Sequence, residues 1–262
     1  MDLTEKSRRV PEKILLGPGP TPVEGRILRA MAEPTLGHLD RDFVAIMDET
    51  RDLLRMVFQT GNDLTVAMPG TGSAGMETAC VNMIERGDKA IICSHGVFGS
   101  RMQDVAGRCG AEVVEVNAPM GKPLDPGDVE KAVRANPDAK FLGIVHAETS
   151  TGVLQPLDEI ANMAHGAGMF IVVDAVTSLG GMEVPVDRLR LDMVYSGSQK
   201  CLGCPPGLAP VTVGPRAVEH IRGRKTKVQS WYLDLTMIMH YWGQEGFYHH
   251  TAPVNMIYGL NE

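Results

Sequence analysis

Residues 170–174 read Phe-Ile-Val-Val-Asp, a short run in which every position before the final aspartate is apolar. A strand that is apolar on both faces is typical of a parallel sheet covered by helices. Runs of the same kind recur at residues 64–68, 90–93, 113–117, 141–146, 193–196 and 209–213. Stretches with helical spacing of apolar residues alternate with most of them, at residues 40–58, 74–86, 99–109, 126–135 and 157–166. This alternation predicts an α/β fold with a mostly parallel central sheet and helices on both faces.

The composition narrows the class of protein. The chain has 262 residues, of which 44% are apolar and 22% charged, enough for a sizeable core. Its formal net charge of −7 comes without a long basic run, so nucleic acid is not an expected partner. No apolar run reaches about 18 residues, and residues 1–9 lack the apolar core of a secretory signal, so we expect no membrane partner. Five cysteines at irregular spacing favour reduced thiols, and hence a cytoplasmic protein, over a disulfide framework.

Two residues with reactive side chains follow predicted strands. Asp174 ends the run at 170–174, and Lys200 closes the segment Ser196-Gly197-Ser198-Gln199-Lys200 after another strand. The carboxyl ends of strands are where open α/β sheets bind ligands. A lysine that forms an imine and a carboxylate that meets a pyridine nitrogen are what a pyridoxal-phosphate enzyme needs. Taken alone, Lys200 could instead be a surface loop lysine, and Asp174 could instead cap a turn.

A glycine loop, Pro69-Gly70-Thr71-Gly72-Ser73-Ala74-Gly75, lies between the first predicted strand and its helix. Its G-x-G-x-x-G pattern also fits a dinucleotide site, which wants an acidic residue at the end of the next strand. That strand ends in Ser94-His95, and Asp88 comes before it, so a nicotinamide or flavin role is disfavoured. Backbone N–H groups at a helix start, beside two hydroxyls, predict a cradle for a single phosphate. The alternative is a plain helix N-cap.

The N-terminal segment has its own character. Residues 14–25 read Ile-Leu-Leu-Gly-Pro-Gly-Pro-Thr-Pro-Val-Glu-Gly, and so many prolines and glycines exclude a helix or a central strand. We expect residues 1–25 to form an extended arm across the body of the protein or a partner subunit, and residues 26–262 to form one large cofactor-binding domain. Residues 252–262 have the pattern of a helix start, and the sequence stops there without a cap. This favours a chain that lacks a second, C-terminal domain.

Several motifs follow one another in a fixed order along essentially the whole chain. They are Gly17-Pro18-Gly19-Pro20-Thr21-Pro22, Gly37-His38, the glycine loop, Glu148-Thr149-Ser150-Thr151-Gly152-Val153-Leu154-Gln155-Pro156, Val173-Asp174-Ala175-Val176-Thr177-Ser178-Leu179-Gly180-Gly181, Ser196-Gly197-Ser198-Gln199-Lys200 and Tyr248-His249-His250-Thr251. Together they resemble the class V pyridoxal-phosphate aminotransferases, specifically the alanine–glyoxylate and serine–pyruvate group. The resemblance implies a fold-type-I large domain with pyridoxal 5'-phosphate as its cofactor.

The resemblance implies roles at the ring end of that cofactor. Lys200 would bind the cofactor aldehyde and, when displaced by substrate, move a proton between the substrate Cα and the cofactor C4′. Asp174 would pair with the pyridinium nitrogen, which makes the ring a better electron sink. Phe98 would stack on the ring, although core packing is the alternative for this residue alone. Thr149 would hydrogen-bond the phenolic oxygen.

At the phosphate end, the resemblance implies contacts from Thr71, Gly72, Ser73 and Gln199. Tyr248 and Thr251 match positions that reach the phosphate of the neighbouring subunit's cofactor, so a homodimer with shared active sites is implied. The alternative for the segment from Tyr248 to Thr251 is a surface strand.

Two further patterns are of the kinds found in metal sites or redox pairs. The pair His249-His250 has no other histidine or carboxylate at ligand spacing nearby, and Cys201-x-x-Cys204 has no second pair. A redox pair normally opens a helix, whereas two prolines follow Cys204. We therefore expect no metal and no redox centre.

The predicted function is ping-pong transamination from a small amino acid, alanine or serine, to a 2-oxo acid, glyoxylate or pyruvate. His38 resembles the alanine– or serine–glyoxylate type, whereas the ureidoglycine–glyoxylate branch tends to carry glutamine there. Thr71 is neutral, whereas the pyridoxamine–pyruvate branch carries a carboxylate. Those two branches and a lyase of the same superfamily are alternatives, while a desulfurase would need a C-terminal catalytic cysteine. A further alternative is a truncated relative that binds the cofactor without turnover, since the family's substrate-binding arginine has no match in residues 1–262.

Overall fold

The computed structural model describes residues 10–11, 13–242 and 248–262. Residues 1–9 and 12 of the predicted arm lie outside the described residues, as do residues 243–247. All seven predicted strands are present, with bounds within a residue or two of those expected. In chain order the strands are β1 (Leu64–Pro69), β2 (Lys89–Ser94), β3 (Glu112–Asn117), β4 (Phe141–Val145), β5 (Ala147–Glu148), β6 (Val153–Leu154), β7 (Phe170–Asp174), β8 (Met193–Tyr195) and β9 (Leu208–Val213).

Helices separate most of these strands. They are α1 (Gly25–Met31), α2 (Arg41–Phe58), α3 (Gly72–Met83), α4 (Val97–Arg108), α5 (Pro126–Ala135), α6 (Asp158–Gly166), α7 (Val186–Leu189), α8 (Pro215–Arg222), α9 (Leu235–Tyr241) and α10 (Val254–Asn261). The five predicted helices are α2 to α6. Local chemistry sets several starts: Asp40 and Asp125 accept hydrogen bonds from Asp42 N and Gly127 N, and Pro126 opens α5. Among the described residues, every helix is too short or too polar to cross a membrane.

The main sheet has seven strands in the order β1-β9-β8-β7-β4-β2-β3, and β5 and β6 form a separate hairpin. Strands β8, β7, β4, β2 and β3 run parallel to one another, while β9 is antiparallel to both β8 and β1. The mostly parallel sheet is therefore confirmed. All residues of β1, β4 and β9 are buried, as the two-sided apolar pattern predicts.

The arm is partly as expected. Residues 13–24 contain neither helix nor strand, but α1 starts at Gly25, the last residue of the segment predicted to exclude helix. Thr21 connects the arm to the turn that follows β8, because its backbone N–H donates to Gln199 O at 3.1 Å. Its packing on a partner, and the division of the chain at residue 25, stay predictions.

Candidate active site

The predicted site residues of four parallel strands meet at one edge of the sheet. Asp174 is the last residue of β7, Lys200 follows β8, Phe98 follows β2, and Thr71 follows β1. Thr149 comes directly after the short strand β5, which continues the chain from β4. Parallel strands place their carboxyl ends on the same side, so the topology brings these side chains together as the sequence predicts.

Asp174 lies in the core, with 3% of its surface exposed. One carboxylate oxygen accepts a hydrogen bond from Val176 N at 2.8 Å, and the other accepts one from the Tyr195 hydroxyl at 2.9 Å. Burial raises the pKa of Asp174 to about 6, although these hydrogen bonds act in the opposite direction. Such a carboxylate gains most from a cationic N–H partner, because that partner removes the penalty of a buried charge.

Lys200 is half-buried, and its amine has a partner in the arm. Its Nζ donates a hydrogen bond to the Pro18 carbonyl oxygen at 2.8 Å. Burial lowers the pKa of Lys200, and the negative charge of Asp174 partly opposes that shift. A lysine with a lowered pKa is more often present as the neutral amine, which is the nucleophilic form.

The glycine loop places unpaired donors at the start of α3. Within the described part of the chain, the backbone N–H groups of Gly72 and Ser73 have no acceptor, and the exposed Thr71 and Ser73 hydroxyls have no partner. Gly72 lies so close to Val176 that a Cβ there would be 2.8 Å from a Val176 methyl carbon. A helix start with free N–H groups and hydroxyls is suited to an anion.

Gln199 joins this cradle from the lysine segment. Its Oε1 is buried and has no hydrogen-bond partner among the described residues. A Cβ added to Gly197 would lie 3.0 Å from that oxygen and 3.2 Å from Gly72 N. The absence of a side chain at Gly197 therefore lets the Gln199 amide sit beside the α3 start. The amide can present its NH₂ group to an anion there after a simple flip.

Phe98 is half-buried near the start of α4 and has a cationic neighbour. The Arg101 guanidinium carbon lies 4.7 Å from the centre of the Phe98 ring, a cation–π distance. The charge of Arg101 also acts to lower the pKa of Asp174, so the guanidinium lies near the site. Sequence reasoning missed Arg101, although its spacing three residues after Phe98 on a helix is a usable signal.

Glu148 is a second residue that sequence reasoning missed. Its side chain is buried, and its Oε2 accepts hydrogen bonds from Phe98 N at 3.1 Å and Gly99 N at 3.3 Å. Its Oε1 accepts from Ser150 N at 3.1 Å and from the Ser150 hydroxyl at 2.7 Å. A Cβ on Gly96 would lie 2.3 Å from Glu148 Cγ, so only glycine fits there. The Glu148 carboxylate thus connects the start of α4 to the loop that carries Thr149.

Thr149 is the residue in that loop, between Glu148 and Ser150. It is half-buried, and its hydroxyl forms a hydrogen bond with the hydroxyl of Thr177, which follows β7. The loops after β5 and β7 are therefore linked at the same edge that holds Asp174. A hydroxyl at this place can donate to an oxygen of a bound ligand, with Thr177 as its second partner.

Among the described residues, no hydrogen bond, ion pair or ring contact joins Tyr248 or Thr251 to this cluster. Both are exposed, and Tyr248 lies against the His38 ring with 5.0 Å between ring centres. Between them, His249 and His250 are buried and bond to each other through their Nδ1 atoms. The segment is not a strand in the described residues. The expected contact of Tyr248 and Thr251 with a second subunit stays a prediction.

The cysteine pair shows no sign of a shared site. Cys201 is exposed and donates to Thr177 O, whereas Cys204 is buried and donates to Gly259 O. All five cysteines are free thiols. Among the residues that the structure describes, no group of three or more His, Cys, Asp or Glu side chains is placed to hold a metal ion.

The fold and this arrangement define a class of α/β domain in which a lysine, a buried aspartate and a glycine loop at a helix start follow parallel strands of one sheet. The model of the family "Aminotransferase class-V" matches residues 26–262. The chain belongs to the class V aminotransferase family, and enzymes of this family depend on pyridoxal 5'-phosphate.

Individual relatives agree with this assignment. The chain is 41% identical to an alanine–glyoxylate aminotransferase of Drosophila melanogaster over 97% of its own length and 65% of that protein. Among solved structures, an alanine–glyoxylate aminotransferase of Nostoc sp. superposes with a TM-score of 0.96 at 44% identity, over 99% of this chain and 68% of that one. A ureidoglycine–glyoxylate aminotransferase of Bacillus subtilis gives 0.95 at 36% identity, over 98% and 66%. The chain thus spans about 65% of the curated relative that it matches.

Proposed function

We propose that this chain carries the cofactor-binding part of an aminotransferase. It would transfer an amino group from a small amino acid, alanine or serine, to glyoxylate or pyruvate in two half-reactions. The observation that carries the proposal is the presence, at one sheet edge, of Lys200 and of a buried Asp174 that forms no ion pair within the described residues. The names of the similar proteins from Drosophila and Nostoc support glyoxylate as an acceptor.

The residues present fit pyridoxal 5'-phosphate at both of its ends. Among the described residues, the N–H groups of Gly72 and Ser73 at the α3 start have no acceptor and the buried Gln199 Oε1 has no partner, and these groups are suited to the phosphate once the Gln199 amide presents its NH₂ group. At the ring end, the Asp174 carboxylate would hold the protonated ring nitrogen, which relieves the penalty of its own burial. When bound, the cofactor supplies an aldehyde that accepts the amino group and a ring that delocalises the electrons of the breaking Cα–H bond.

The side chains of this chain would hold and move the protons. Burial lowers the pKa of Lys200, so its amine is available as a base. It would take the proton from the substrate Cα and deliver it to the position of the cofactor C4′. Asp174 would keep a proton on the ring nitrogen by remaining a carboxylate beside it. Phe98 would restrict the ring plane from its place near the start of α4, and the Thr149 hydroxyl would donate to the phenolic oxygen.

We further propose that the protein acts as a homodimer in which Tyr248 and Thr251 reach the phosphate of the other subunit's cofactor. The exposure of both side chains supports this, since 59% of the Tyr248 surface is open although its ring contacts the His38 ring. A cytoplasmic location is also proposed, on the basis of the reduced cysteines expected from the composition.

The test of the cofactor assignment is covalent attachment at Lys200. Purified protein mixed with pyridoxal 5'-phosphate should gain absorbance in the visible range, and borohydride should fix the cofactor on the peptide that contains Lys200. Lys200→Ala should lose both signals, while the exposed Lys225→Ala should keep them. Addition of L-alanine or L-serine should then bleach the visible band, and glyoxylate should restore it. A colourless wild type, or the same adduct in Lys200→Ala, would show that the assignment is wrong.

A further inference from the structure

The amine of Lys200 lies under a turn of the N-terminal arm. We call residues 17–21 the arm turn. Its Pro18 carbonyl accepts the hydrogen bond from Lys200 Nζ at 2.8 Å, although the two residues are 182 positions apart in the sequence. The arm turn therefore contacts the side chain to which the cofactor would attach in the proposed function.

Gly19 shows how closely the arm turn approaches the lysine. A Cβ built on Gly19 would lie 2.7 Å from both Cδ and Nζ of Lys200. Gly19 also has a φ of +131°, a conformation that side chains rarely adopt. By contrast, a Cβ on Gly17 in the same turn would meet no atom of the described residues within 4 Å, and the φ of Gly17 is not in that region.

Thr21 fixes the arm turn to the segment that carries the lysine. Its backbone N–H donates to Gln199 O at 3.1 Å, and its hydroxyl donates to Lys200 O at 3.1 Å. The turn and the lysine backbone therefore form one unit, in which the position of the Pro18 carbonyl is set relative to the Lys200 Cα. A long, flexible side chain gains a fixed end point from such an acceptor.

We propose that the arm turn is a positioning device for Lys200, in which the Pro18 carbonyl orients the amine for attack on the cofactor aldehyde. This inference rests on the proposed function. A neutral amine has two N–H bonds and one lone pair, so it can donate to Pro18 O while its lone pair points away from the arm. The amine and the aldehyde then combine with loss of one water. Orientation of this kind raises the rate of attack without any change in the reacting groups.

The experiment compares Gly19→Ala and Thr21→Val with Gly17→Ala as the matched control. The first measurement is the rate at which pyridoxal 5'-phosphate forms the borohydride-reducible adduct on Lys200. Gly19→Ala must displace either the arm turn or the end of the lysine, and Thr21→Val removes the hydroxyl bond while it keeps the side-chain shape. We expect the rate to fall by roughly 5- to 10-fold in both variants, since one orienting contact is lost. Gly17→Ala should react at the wild-type rate.

The second measurement needs no cofactor. Acetic anhydride acylates neutral amines, and mass spectrometry of peptides gives the rate at each lysine across a pH series. The limiting rate at high pH, where every amine is neutral, reports access alone. It should rise several-fold at Lys200 in Gly19→Ala and Thr21→Val, because the arm turn and the end of the lysine are then no longer in contact. The acylation rate of Lys89, whose side chain is only 19% exposed, should not change and so reports any general loosening.

The two measurements together separate the possibilities. A slower adduct with faster acylation at Lys200 supports a lysine that is more accessible but less well oriented. An adduct rate that is unchanged or faster in Gly19→Ala and Thr21→Val overturns the proposal, as does acylation that rises equally at Lys89. If the wild type forms no adduct at all, the proposed function fails. Unchanged acylation of Lys200 in both variants would then overturn the positioning role independently.

Discussion

The two ends of the candidate site are built in opposite ways. At the ring end, the carboxylates of Asp174 and Glu148 are buried, and each is hydrogen-bonded through both of its oxygens. At the phosphate end, Gly72 N, Ser73 N and the Gln199 amide oxygen are without partners in the described residues. The ring end is therefore organised by the chain itself, whereas the phosphate end has N–H donors that no acceptor in the described residues satisfies and that an anion could satisfy. Stability and cofactor affinity should respond differently to changes at the two ends.

The largest effect should come from Asp174→Asn, which keeps the shape of the ring end but removes its charge. Transamination should fall by at least about 100-fold, the usual scale for loss of a key electrostatic partner. The cofactor-free protein should nevertheless become more stable at neutral pH, because the asparagine oxygen can still accept from Val176 N–H while its NH₂ group donates to the Tyr195 hydroxyl oxygen. Because burial raises the pKa of Asp174 from 3.8 to about 6, the folded protein holds this proton more tightly than the unfolded chain does.

The sign of the pH dependence follows from that difference. In the wild type, stability is lost as the pH rises from about 4 to about 6, by roughly 3 kcal/mol in total. Asp174→Asn should remove this loss, so its advantage should be full above about pH 6 and vanish below about pH 4. Urea denaturation of cofactor-free protein across this range measures it, with the exposed Asp128→Asn as control. Parallel curves for wild type and Asp174→Asn would contradict the prediction.

The next largest effect is expected for Glu148→Gln, which replaces the other buried carboxylate of the ring end with an amide. The amide NH₂ of glutamine would face N–H donors of Phe98 and Gly99 or of Ser150, so buried donors would be left unpaired. We expect a loss of about 2–3 kcal/mol in the free energy of unfolding and weaker cofactor binding. Glu130→Gln is the control, because Glu130 is part of an exposed helix ion pair worth about 0.3–0.5 kcal/mol. Equal stability losses in the two variants would show that Glu148 does not organise the ring end.

The smallest effect concerns the phosphate end and tests whether a second subunit completes it. Tyr248→Phe should weaken cofactor binding by about 3- to 10-fold, the value of one hydrogen bond, with little change in unfolding. In mixed dimers of Tyr248→Phe and Lys200→Ala chains, the one site with Lys200 receives its tyrosine from the other chain. That site should bind cofactor with wild-type affinity at half the stoichiometry. Weak binding in the mixed dimer would place Tyr248 in its own chain's site.

The sequence was sufficient for the features that depend on local pattern. Strands such as β4 and β7 could be predicted because buried parallel strands are apolar on both faces. Asp174, Lys200 and the glycine loop could be placed together because parallel strands end on one side of the sheet. By contrast, α1 was missed at Gly25, since the prolines before it obscured the start of the helix.

The contacts that orient the site could not be predicted in the same way. Glu148 bonds to Phe98 and Gly99, about 50 positions earlier, and neither segment has a pattern that points to the other. The Lys200 amine donates to the backbone carbonyl of Pro18, so this hydrogen bond has no side-chain signature in the arm. Such contacts depend on the final distance between loops, which only the folded structure provides.

The position of β9 affects the order in which parts of the chain can fold during synthesis. Within the described sheet, β1 is an edge strand that pairs with β9, and Leu64 lies opposite Val213. A pairing between segments so distant in sequence carries a large loop-closure entropy and forms slowly. During synthesis the glycine loop leaves the ribosome early, yet its strand must wait for β9 before it can join the sheet. The phosphate cradle is therefore expected to be among the last parts of the nascent chain to become structured.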